Sequence, residues 1–186
     1  GHNALTLGLM AVSAGEASEA KRQAMRAQRL LDAPQLTDLL SAQAAHLAGD
    51  HRAAGRYFQS LTKAQDTAFL GHIGLARLAH EGNRLDEALA AARRALSLKP
   101  KSAMAAAQVL HLEAARGNWS DAAPALEVMI AAKDRTGQEN DTPRDRSRQK
   151  VALAYLQARP FFDGDHNEQT LNGISEKEAV RQLRLA

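Results

Sequence analysis

Between Phe69 and Pro100 the apolar positions of FLGHIGLARLAHEGNRLDEALAAARRALSLKP recur at helical rather than alternating spacing, and they fall into two runs. Leu70, Ile73, Leu75 and Leu78 mark one amphipathic helix, because residues three and four apart share a face. The Gly82-Asn83-Arg84 segment interrupts it, Asp86 is expected to cap a second helix, and Pro100 closes that helix. A single helix pair cannot bury its own apolar face, so neighbouring pairs have to supply the missing surface.

The same pattern recurs at an offset of 34 residues. Ala14-Gly15-Glu16, Ala48-Gly49-Asp50, Gly82-Asn83-Arg84 and Arg116-Gly117-Asn118 align as turns. In that register Ala20, Ala54, Ala88 and Ala122 coincide in the second helices. Gly8, Ala42 and Ala76 coincide in the first, where Leu110 is the large exception. Small residues at these places let paired helices approach closely. Leu61 and Met129, alternating with Ala27 and Ala95, are placed to fill the seams between units.

This period, with helix, turn and helix in each unit, resembles the tetratricopeptide repeat (TPR). The resemblance implies an all-α, right-handed α-solenoid of about four TPR-like repeats over residues 1–134, divided 3–34, 35–68, 69–102 and 103–134. The family's bulky first-helix aromatic is missing throughout, and His72 stands in its place in the third unit. Pro124 is expected near the start of the fourth unit's second helix, where its missing N–H costs little. Residues 135–186 are set apart. A polar loop spans Lys133 to Asp145, and an amphipathic capping helix over 147–158 carries Val151, Ala154, Tyr155 and Ala158 on one face. An irregular tail follows, with Ser175 and Glu178 forming a capping box for a short terminal helix.

Composition narrows the function classes. Hydrophobic residues make up 45% of the 186-residue chain but aromatics only 4%, a balance that favours close-packed helices over a β-sandwich. The 24 basic and 21 acidic residues are interspersed, so the net charge of +3 describes a mixed solvated surface and no nucleic-acid partner. Without cysteine there is no disulfide, thiolate metal site or cysteine nucleophile. No nucleophile elbow, phosphate loop or paired-carboxylate motif can be identified, so no enzyme is expected. Asp163, Asp165 and Asn167 imitate the start of a calcium loop, but Glu168 occupies the place of its turning glycine. The basic run Arg144, Arg146, Arg148 and Lys150 is diluted by Asp141 and Asp145 and reads as a solvated helix start.

The segments GLMAVSAGEASEAKRQAMRAQRLL, LLSAQAAHLAGDHRAAGRYF, FLGHIGLARLAHEGNRLDEAL and LEAARGNWSDAAPALE, in this order, resemble the TPR region of HemY-type inner-membrane proteins of Gram-negative bacteria. The resemblance covers roughly residues 4–158. It implies a soluble domain tied to the membrane and associated with late haem or porphyrin metabolism, with the cytoplasmic side preferred. The opening Gly-His lacks an initiator Met and reads as an expression scar on a piece of a longer protein, the membrane anchor lying outside it. No signal peptide or run of about twenty apolar residues is present.

In stacked helix pairs the first helices line a concave wall. The register places Leu5, Leu9 and Val12 on it from the first repeat, Leu39, Gln43 and His46 from the second, Ile73, Arg77 and His80 from the third, and Ala107 and His111 from the fourth. Such a groove is expected to be apolar at the first-repeat end and polar or basic further along. It would accept a protein or peptide partner with a carboxylate near Arg77. Two readings follow: a non-catalytic scaffold that docks partners in the groove, with no cofactor, or a haem or porphyrin carrier using His46, His80 or His111 as iron ligands.

Overall fold

The computed structural model describes residues 1–116 and 118–136, and all regular structure among them is helical. Eight helices follow one another: α1 (His2–Ser13), α2 (Ala17–Leu30), α3 (Pro34–Leu47), α4 (His51–Leu61), α5 (Gln65–Glu81), α6 (Leu85–Leu98), α7 (Ala103–Ala115) and α8 (Trp119–Thr136). The chain forms two compact units, Gly1–Lys99 with α1 to α6, and a second beginning at Pro100 that contains α7 and α8. The expected capping helix over 147–158 and the terminal helix lie outside the described residues.

Turn chemistry sets the helix boundaries. Gly15 (φ 76°), Gly49 (φ 74°) and Asn83 (φ 56°) occupy the left-handed region, which L side chains other than Asn and Asp seldom enter. The next residue then folds its N–H back onto a carbonyl near the preceding helix end: Glu16 to Ala11 at 2.8 Å, Asp50 to Ala45 at 2.9 Å and Arg84 to Ala79 at 2.8 Å. Each closes a helix C-terminus that would otherwise leave carbonyls unpaired. The second helix starts two residues after the left-handed residue, at Ala17, His51 and Leu85. This places Arg84, not Asp86, at the N-cap of α6; Asp86 lies in the first turn, where its carboxylate still faces the helix's positive end. Asp50 is a true side-chain cap, accepting the Ala53 N–H at 2.9 Å.

Packing in the first unit depends on small residues. Ala20, Ala54 and Ala88 are fully buried, as are Ala27 and Ala95, while Leu61 fills the intervening position at 1% exposure. α1 packs on α2 and α3, and each following helix through α6 packs on its predecessor. One core cluster centres on Leu40 with Ala4, Ala20 and Ala44, and a second on Phe58 with Leu61 and Leu78. Burying an aromatic of this size contributes about 1.5–3 kcal/mol. The Thr67 hydroxyl donates to the Leu61 carbonyl at 2.8 Å and fixes the connection from α4 to α5. At the other end of the last pair, Lys99 Nζ sits 4.5 Å from the centre of the Phe69 ring.

In the second unit α7 packs against α8 through Ala105, Ala106, Val109 and Leu112 on one side and Ala122, Ala123 and Ala125 on the other. Glu113 is fully buried where the preceding pairs carry Ala79, Ala45 and Ala11, and Asn118 Nδ2 donates to its carboxylate at 3.2 Å. Pro124 is the sixth residue of α8, deeper than expected from the sequence, so its missing N–H removes an intrahelical bond. Lys133 to Thr136 belong to α8 and not to a loop.

Candidate functional site

The first helices of the first unit stand side by side. α1 packs on α3, and Arg77 Nη2 of α5 donates to Gln43 Oε1 of α3 at 3.4 Å. One turn further on, His46 Nε2 of α3 lies 3.5 Å from Glu81 Oε1 of α5. Two successive contacts at nearly constant offset mean that α3 and α5 run parallel, in register. Leu36, Leu39, Gln43 and His46 share one face of α3 by helical spacing, and Leu70, Ile73, Arg77 and His80 the matching face of α5.

The distribution of apolar groups on this wall differs from the expected gradient. Leu5 and Val12 are partly buried against the first core cluster, and Leu39 packs against the second, so neither end of the wall is simply an open apolar surface. Their spacing places them at the boundary between wall and core. Leu9, Leu36 and Leu70 are among the exposed apolar groups of the first helices. The stripe of Leu70, Ile73, Leu75 and Leu78 divides: Leu70 is exposed, Ile73 and Leu75 are half-buried and Leu78 is buried, and α5 also buries Phe69, Gly71 and Ala76. On α3 and α5 the wall carries exposed Leu36 and Leu70 towards the helix starts and Gln43, Arg77, His46 and Glu81 towards their ends. Ala107 (half-buried) and His111 (exposed) lie on α7 in the second unit.

His46 is the best-defined polar centre. Burial lowers its pKa below the ordinary value of 6.5; Arg77 and His51 lower it too, and Glu81 pulls the other way. At neutral pH its contact with Glu81 is therefore a neutral imidazole beside a carboxylate. His51, the first residue of α4, meets His46 edge-to-face with ring centres 6.1 Å apart, and its Nδ1 lies 3.9 Å from Glu81 Oε2. His46 Nδ1 and Arg77 Nε are buried with no hydrogen-bond partner among the described residues.

Of the histidines offered as alternative iron ligands, His46 belongs to this cluster. His80 is exposed in the last turn of α5, and the companions of His46 in the metal-capable grouping are instead His51 and Glu81. Neither residue stands out in the sequence. The signal that finds them is the turn: a left-handed residue at Gly49 folds the start of α4 back beside the end of α3, and the 34-residue period brings the end of α5 alongside.

His51 and Glu81 also line a cavity of about 420 Å³ among α4, α5 and α6, with Gly55, Leu75, Arg84 and Ala91. A cavity of about 140 Å³ occupies the equivalent place one period earlier, among α2, α3 and α4. There Lys21 and Tyr57 stand where the larger one has Gly55 and Ala91, and the bulkier side chains fill the space.

Residues 1–49, spanning α1 to the turn after α3, match the family model described as HemY protein N-terminus. No curated protein and no solved structure matches the chain. No helix among the described residues is long and apolar enough to cross a membrane.

Proposed function

We propose that this chain is a non-catalytic docking module of a HemY-like protein, a right-handed solenoid of TPR-like units whose first-helix wall holds a segment of another protein. It acts at the bacterial inner membrane, on the cytoplasmic side, in association with haem or porphyrin metabolism. The match of residues 1–49 supports the HemY-like part of the reading. The 34-residue recurrence of helix ends and left-handed turns supports the solenoid.

The observation that carries the docking role is Arg77. Its guanidinium is half-buried on the wall, its one hydrogen bond among the described residues goes to neutral Gln43, and no carboxylate among them lies within ion-pair distance. A partner segment with a carboxylate at this point and apolar side chains over Leu36 and Leu70 complements both features. Panning a random peptide library on the chain tests this: acidic, apolar sequences are enriched by the wild type and lost with Arg77→Ala. No enrichment, or the same sequences retained by the variant, overturns it. The haem-carrier reading through His46, His80 or His111 draws on the family resemblance and on the register of these histidines in the first helices.

A further inference from the structure

We propose that His46, His51 and Glu81 form a binding site for a divalent transition-metal ion of the zinc type. Three elements deliver them: the last turn of α3, the first residue of α4 and the last residue of α5. One nitrogen of each imidazole and one carboxylate oxygen all lie within 4.8 Å of one another. A tetrahedral ion with bonds of about 2.0–2.1 Å needs its donors roughly 3.3 Å apart. His46 Nε2 lies 3.5 Å from Glu81 Oε1 and His51 Nδ1 3.9 Å from Glu81 Oε2, so the two imidazoles approach different oxygens, and the exposed side chains of His51 and Glu81 have to rotate to bring one oxygen to both.

The chemistry of the set points the same way. Two imidazoles and one carboxylate are a donor set that zinc and its first-row neighbours accept, with a fourth position left for water or a small anion. His46 and His51 meet edge-to-face, each beside a different oxygen of one carboxylate, and both nitrogen–oxygen separations are longer than an ordinary hydrogen bond, so the three groups converge without satisfying one another. The cavity lined by His51 and Glu81 gives the fourth position access to solvent. Arg77 opposes a cation here and Glu81 offsets it.

A bound ion would tie the turn between α3 and α4 to the end of α5, bracing two successive helix pairs. This site does not rest on the docking reading, since His51 and the cavity belong to the second-helix side of the turn. Calorimetric titration of the whole chain with Zn²⁺ at pH 7.5 is the test, with Co²⁺ absorption as a report on coordination. The expected result is one saturable ion per chain with a Co²⁺ spectrum of low coordination number. His51→Ala and Glu81→Gln, both at exposed positions and checked for helix content by circular dichroism, each weaken binding at least ~10-fold, no less than loss of an outer-shell partner does. His80→Ala leaves it unchanged. Absence of saturable binding, equal binding by the His51 and Glu81 variants, or an equal loss with His80→Ala overturns the proposal.

Discussion

The ring of Phe58 lies against Gly74, so closely that a β-carbon at Gly74 would overlap the ring. This contact seats α4 on α5, and Gly71, one turn earlier, meets the backbone of the same segment: a β-carbon there would lie 2.7 Å from the Phe58 carbonyl oxygen. Two glycines on one face of α5 thus make room for the largest fully buried side chain among the described residues.

Gly74→Ala is therefore expected to destabilise the first unit by about 1–3 kcal/mol through overpacking, despite alanine's better helix propensity. Phe58→Ala removes the ring and leaves a cavity, at a cost of about 3–5 kcal/mol. The double variant Phe58→Leu with Gly74→Ala should recover part of the Gly74→Ala loss, because the smaller side chain gives the β-carbon space. Urea unfolding followed by circular dichroism checks all three; additive losses in the double variant would disprove the steric account.

Gly49 and Asn83 hold the same turn position for a different reason. At Gly49 a β-carbon would meet nothing within 4 Å, so the requirement lies in the backbone and not in space. Gly49→Ala, at φ 74°, should cost roughly 1–2 kcal/mol, while Asn83→Gly should change stability by less than about 0.5 kcal/mol. Thermal unfolding of the two variants separates these expectations.

His46 and His72 make stability depend on pH. Both have pKa values lowered below the ordinary 6.5, chiefly by burial. Arg77 and Glu81 of α5 and His51 of α4 act on His46, and Arg94 of α6 acts on His72. As pH falls through 6.5 the unfolded chain takes up protons that the folded chain does not, so stability is full above 6.5 and declines towards the lower folded values. The urea midpoint should drop between pH 7.5 and pH 5.5, and His46→Gln with His72→Gln should flatten that drop. An equal decline in the variant would place its origin elsewhere.

The helix pairs were legible because their signals are local. Left-handed Gly15 and Gly49, the equivalent Asn83 and the alanines of the second helices each act over a few residues, and the period repeats them. Boundaries that depended on side-chain chemistry shifted by a residue or two, as at Asp86, because the backbone turn and not the best capping side chain decides where α6 begins. Buried Glu113 carried no signal: its counterparts in the register are alanines, and Asn118 donates to its carboxylate.

The sequence by itself determined the helical class, the turn positions and which residues share the first-helix faces, since all three follow from spacing along one helix. Only the tertiary structure decided which of those faces became core. Leu5, Val12 and Leu39 pack against the core clusters while Leu36 and Leu70 remain outside, because burial is decided by which neighbouring helices lie against each face and not by spacing along one helix. It also decided that His46 meets His51 and Glu81. These residues come from three helices, and no periodicity within one helix can specify the few ångströms between their side chains.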